Sequence, residues 1–123
     1  MLKRLDPITK ARLRLADALQ NLDPSDFCMS DGSHCIAGWC CKLAGIEPHQ
    51  YQWSNIKVHA TEELALTEHQ AHELFSPMWD KYTPCTPKQA AKVLRHLAAT
   101  DKVDWKVAGI ATVKGFAISE RPD

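Results

Sequence analysis

The chain has no run approaching the roughly 20 apolar residues that a membrane-spanning helix needs. Its first 22 residues open on charges and hold no uninterrupted apolar stretch of the kind a secretory signal requires. The expectation is a cytoplasmic protein in a reducing compartment, with no membrane partner. Glycine is scarce, five in 123 residues, and none sits in a phosphate-cradling loop or a G-x-S-x-G elbow. An H-E-x-x-H zinc helix is missing too. A surplus of either charge is also missing: 15 basic and 15 acidic side chains cancel. A general-purpose nucleic-acid binder carries excess Lys and Arg, so the balance argues against nucleic acid as a partner.

Paired cysteine spacing is the last absence. The five cysteines are an odd number, with Cys40 and Cys41 adjacent, whereas a secreted disulfide framework prefers an even, spread set. The spacing Cys28-x6-Cys35-x4-Cys40-Cys41, with Cys85 far off, does not form a zinc-knuckle pattern. Free thiols and no cofactor are expected. At this length a chain buries a real core without covalent staples, and one domain over residues 1–123 accounts for it.

Helical signals dominate what is present. Asp6-Pro7 combines a good N-cap with proline at the first helical position. Ile8, Ala11, Leu15, Ala18, Leu19 and Leu22 then recur at helical spacing up to Asp23-Pro24. Ser33 offers an N-cap for a helix from His34, and Gly45 suits the position just past its end. Residues 49–58 hold aromatics without a clear period and read as irregular, followed by a short helix over "HATEELAL". Thr67 with Gln70, and Thr86 with Gln89, form capping boxes. The second opens the strongest helix, through Asp101. Residues 76–86 are a proline-punctuated loop, and residues 109–123 read as a loose tail. The fold class is therefore mostly α, a bundle of four to five helices. One short β pair between residues near Phe27 and residues near Phe116 would be compatible with it. Trp39 should be buried against the first helix or the Thr86–Asp101 helix, and Trp105 should pack back onto the core.

Several residues invite a chemical reading. Cys35 in a first helical turn would feel the N–H groups and macrodipole that favour a thiolate, with His34 beside it. Neighbours on a helix point apart, however, and a cysteine between apolar residues ordinarily packs as a small hydrophobe. His34 and Cys41 share a helical face but make only two ligands. His69 and His72, at i and i+3 with Glu68 and Glu73 a turn away, would hold a metal only if another element added a ligand; the plainer reading is a solvated face of Glu–His pairs. "CCKLAGIEPHQYQWS" has the rough rhythm of a helix-turn-helix, but Ser54 stands where an apolar lock belongs. Its second helix offers no Lys or Arg before Lys57 for phosphate. Lys3, Arg4, Lys10, Arg12 and Arg14 line one side of the first helix, which could meet an acidic partner; the plainer reading is a solvated charged face.

The stretch "SHCIAGWCCKLAG" resembles a motif of small, largely uncharacterised bacterial and phage proteins. In these a Cys-Gly-Thr/Ser turn precedes a Cys-x-Ala-Gly-Trp run opening a helix that closes on Leu-Ala-Gly. Cys35, Ala37, Gly38, Trp39, Leu43, Ala44 and Gly45 match, and Gly32-Ser33 stands for the Gly-Thr/Ser step. The earlier cysteine is replaced by Asp31, so a cysteine pair of that family would be lost here and Cys35 tilts towards packing. The resemblance implies a helical domain of phage or bacterial origin, at work in a bacterial host cell, and brings no activity with it.

The functional expectation is a small interaction module with a macromolecular protein partner, in one form a phage-encoded modulator or inhibitor of a host protein or defence complex. Tyr51, Trp53, Trp79 and Tyr82 are the candidate contacts, because Tyr and Trp dominate binding hot spots. The alternatives are a thiol- or metal-dependent enzyme using Cys35 and a histidine, and a helix-turn-helix-like DNA binder; the balance leans away from an enzyme.

Overall fold

Asp6 caps the first helix as its place before Pro7 demands: its carboxylate accepts the Thr9 backbone N–H at 2.7 Å. The computed structural model describes residues 6–29, 33–75 and 85–110. Five α-helices appear among them: α1 (Pro7–Gln20), α2 (Ile36–Leu43), α3 (Trp53–Glu63), α4 (Glu68–Phe75) and α5 (Pro87–Thr100). Three short 3₁₀ turns, Pro24–Asp26, Pro48–Gln50 and Trp105–Ala108, fill the connections. The protein is mostly α, and no strand occurs among the described residues. Phe27 is extended and buried, and the Cys28 N–H donates to the His34 carbonyl, closing the loop ahead of α2. The suggested partner strand near Phe116 lies outside the described residues.

The two longest helices pair most extensively. They run antiparallel: Arg12 meets Leu97 and Asp101, while Asp17 and Gln20 meet Arg95. Leu15, Ala16 and Leu19 of α1 and Ala90, Val93, Leu94 and Leu97 of α5 are buried at the spacing their periodicity requires. Both capping boxes form. Thr67 and Gln70 exchange bonds of 2.9 and 3.0 Å, and Thr86 and Gln89 bonds of 2.9 and 3.1 Å. After Asp101 the chain turns back along α5, so that Gln89 reaches the Ala108 carbonyl. Trp105 is buried as expected and donates its indole N–H to the Glu73 carbonyl of α4 at 2.9 Å. Of the segment 109–123 read as a tail, Ile110 is buried and its N–H donates to the Trp105 carbonyl, and residues 111–123 lie outside the described residues.

Three expectations need correction. First, α2 is capped by Cys35 rather than Ser33; Cys35 has extended backbone angles, and helical bonding starts with the Trp39 N–H donating to its carbonyl. Second, the aromatic stretch thought irregular contains the first half of α3, which starts at Trp53. Its N-cap, Gln52, makes no side-chain cap bond, and only Ile56 and Ala60 of the helix are buried. Neither a start signal nor a strong apolar stripe was available to read. Third, Arg12 does not lie on a solvated face: it is 4% exposed.

The burial of Arg12 organises the bundle. Its Nε donates to the Leu64 carbonyl at 3.0 Å, and its two terminal nitrogens reach the Ala65 and Leu97 carbonyls and the Asp101 carboxylate. A helix leaves its last carbonyls without intrahelical partners. One guanidinium on α1 therefore bonds the ends of both α3 and α5, where the Leu97 carbonyl also takes the Asp101 N–H at 2.7 Å. Gln70 at the start of α4 donates to the carbonyl and carboxylate of the same Asp101, bringing a fourth helix into the network.

Two helix ends share one geometry with different residues. At the end of α2 the Gly45 N–H donates to the Lys42 carbonyl and the Ile46 N–H to the Cys41 carbonyl, a Schellman motif with Gly45 at φ 84°. At the end of α3, Ala65 and Leu66 make the equivalent bonds to Glu62 and Thr61, with Ala65 forced to φ 52°. The two positions predict opposite responses. Gly45→Ala places a Cβ with no atom within 4 Å, so its cost is backbone strain alone, about 1 kcal/mol of urea-denaturation stability. Ala65→Gly relieves that strain and should be neutral or stabilising by up to about 1 kcal/mol. Equal losses from both substitutions would contradict the assignment.

Candidate functional site

The cysteine-rich helix is the first place to look for chemistry. Cys35, Cys40 and Cys41 are all buried, Cys35 at 1% exposure. They sit among Leu15, Leu19, Ile36 and Ile56 in the same core. Burial pushes the Cys40 thiol up to about 12, with the neighbouring Cys41 and Glu63 adding to it, and burial raises Cys41 likewise. The Cys41 sulfur lies 3.7 Å from the Ile56 carbonyl oxygen, so α2 and α3 touch through a weak S–H donor. Cys85 is also pushed up to about 12 by burial. The thiols of Cys40, Cys41 and Cys85 are thus protonated at neutral pH, the opposite of an activated nucleophile. His34 is half-buried in the loop before the helix. None of the five cysteines is in a disulfide, and Cys28 is the exposed one.

Trp39 does not sink into the core as expected. It is half-buried and packs against the edge of the core. Its indole N–H donates to the Asp26 carbonyl at 3.1 Å, and the Lys42 ammonium lies 3.9 Å from its ring centre. The cation–π contact covers one face of the indole while the N–H fastens the 3₁₀ turn Pro24–Asp26 to α2. Small neighbours explain the rest of the motif: Ala37 and Gly38 are buried, leaving room for the adjoining helices.

The histidine pair on α4 follows the plainer reading. His69 and His72 are exposed, and His69 pairs with Glu73 at 3.6 Å. Among the described residues no group of three His, Cys, Asp or Glu side chains is placed to hold a metal ion. Residues 44–52 separate α2 from α3, far more than the roughly three or four residues of a helix-turn-helix turn. Ser54 is exposed rather than locked between two helices. No described helix is long and apolar enough to cross a membrane.

What remains is the surface of α3. Tyr51, Trp53 and Val58 are exposed at 44%, 39% and 54%, three of the five large exposed apolar side chains among the described residues. At roughly 100° per residue, Ser54, Asn55, Val58, His59 and Glu62 share the outward side of the helix, and all are exposed. Tyr51, just ahead of the helix, meets His59 edge to face with ring centres 6.3 Å apart. The Tyr51–His59 pair therefore stands beside Val58 on one exposed face. Trp53 lies about 140° around the helix from Val58 and is exposed because it opens α3, so it belongs to a different side. Of the other two candidate contacts, Trp79 and Tyr82 fall outside the described residues. Val58 and His59 were missed because the segment had been read as irregular, and only its placement on a helix brings them next to Tyr51.

Comparison with protein-family models, with curated proteins and with solved structures found no match to this chain.

Proposed function

We propose that this protein is a small protein-interaction module that binds its partner through the outward face of α3, centred on Tyr51, Val58 and His59. The carrying observation is the exposure of Val58, 54%, beside an aromatic pair on a helix whose opposite side holds Ile56 and Ala60 in the core. An exposed apolar side chain grouped with an aromatic pair on one helix face suits burial against another molecule. The buried cysteines of α2 and the exposed histidines of α4 supply no competing constellation among the described residues. A phage-encoded modulator or inhibitor of a host protein or defence complex, working in the bacterial cytoplasm, is the form supported by the Cys-x-Ala-Gly-Trp resemblance.

The test is a photo-crosslinking amino acid placed at Val58 in the full chain, expressed in the native host. A discrete adduct at position 58, lost when Tyr51 is replaced by Ala, is the expected result. Adducts that form equally from the exposed Lys92 position on α5, or none at position 58, contradict the reading.

A further inference from the structure

Charge is unevenly spread along this neutral chain. Residues 46–75 contain Glu47, Glu62, Glu63, Glu68 and Glu73 against Lys57 alone, a net of −4, which the rest of the chain balances. Two of these carboxylates belong to the α3 surface. Glu62 falls about 40° from Val58 around the helix, on the outward face; Glu63, about 40° from His59, stands at the edge of that face towards α2, near enough to Cys40 and Cys41 to raise their thiols. Both are exposed, and no ion pair engages either of them among the described residues. Lys57 is half-buried and sits on the other side of the helix. Apolar and anionic groups thus alternate around the outward face, with Tyr51 leaning in from its N-terminal end.

We propose that the occupant of this face is an Arg- or Lys-bearing segment of a partner protein. The inference rests on the interaction reading above and adds the partner's chemistry. Long cationic side chains match both halves of the surface at once. Aliphatic stems covering Val58 bring their charged heads to Glu62, and a cation seated beside His59 reaches Glu63 at the edge of the face. An arginine also gains from the face of Tyr51. Nucleic acid and acidic proteins meet like charge here, which disfavours them. A charge-matched surface also speeds encounter, so the association rate should fall with added salt.

Fluorescein-labelled nona-arginine, titrated by anisotropy against the full chain at physiological ionic strength, tests this. Glu62→Gln with Glu63→Gln should weaken binding about tenfold, and Tyr51→Ala about fivefold. Glu68→Gln with Glu73→Gln removes the same charge from α4 and should change it less than about threefold. Equal losses from both pairs, no measurable binding, or tighter binding of nona-glutamate or a single-stranded oligonucleotide overturns the proposal. So does concentration-dependent dimerisation in light scattering that is abolished by the α3 pair, because the occupant is then a second copy. The Val58 crosslink separates the two levels. An adduct to an acidic or neutral segment keeps the interaction module and removes the cationic partner, whereas no adduct at position 58 removes both.

Discussion

Replacing Arg12 by Ala should cost about 3–5 kcal/mol in urea unfolding, the largest loss expected from any charged residue of this chain. The reason is geometric. The guanidinium is 5% exposed and donates to the carbonyls of Leu64, Ala65 and Leu97 and to the Asp101 carboxylate. Truncation strips the donor from the carbonyl of buried Leu64 at the end of α3, at about 1–3 kcal/mol for such an orphan, and removes the bonds that tie Ala65, Leu97 and Asp101 to α1, although the Leu97 carbonyl keeps the Asp101 N–H. Arg12→Lys should recover only part of the loss, because an ammonium cannot present the planar fork that spans two helix ends. Asp101→Asn should cost far less than either, since its carboxylate is 72% exposed. A loss under about 1 kcal/mol for Arg12→Ala would mean that water replaces the clamp freely.

The same residue defines an acid response. Hydrogen bonds from Arg12 and then Gln70, with the Arg12 charge, hold the Asp101 carboxyl below its ordinary 3.8. Asp6 and Asp23 are lowered as well, chiefly by the backbone N–H groups of Thr9 and Ser25. A depressed carboxyl stabilises the fold fully above its unfolded value and loses that contribution as pH falls through its folded value. Stability should therefore decline below pH 3.8, and Asp101→Asn should flatten part of that decline.

Trp105→Ala is the second large effect, also about 3–5 kcal/mol. Trp105 is 4% exposed and joins the returning chain to α4 through its N–H bond to Glu73. Trp105→Phe keeps most of the apolar volume but strips the donor from the Glu73 carbonyl, and should cost about 1–2 kcal/mol. The gap between the two variants measures packing against hydrogen bonding at one site. Equal costs would place the whole effect in the hydrogen bond.

Much of the fold was legible because its helix starts carry their own chemistry. Asp6-Pro7, Thr67 with Gln70 and Thr86 with Gln89 each form the bonds their spacing implies. Gly45 ends α2 at a positive φ, as a residue without a Cβ does readily. Where such signals are missing, the reading failed. The start of α3 has no capping side chain, and Ala65 ends it at a positive φ without a glycine to mark it. Arg12 was misread for a different reason. Its local sequence is that of an exposed face, and its burial depends on the ends of two helices 52 and 85 residues further along. The candidate surface was half visible: Tyr51 stood out by type, whereas Val58, His59, Glu62 and Glu63 acquire meaning only once α3 is a helix. Trp39 was recognised as central to its motif, but the carbonyl of Asp26 and the ammonium of Lys42 hold it at the edge of the core.

The central claim is that the cysteine-rich helix is core, and that the protein works through its surface. Rates of thiol labelling in the native protein at neutral pH, resolved by mass spectrometry, test it most directly. Cys28, exposed, should react promptly, while Cys35, Cys40 and Cys41 should be modified only as fast as the protein unfolds. Labelling of Cys35 in the folded protein at a rate matching or exceeding that of Cys28 would contradict the account.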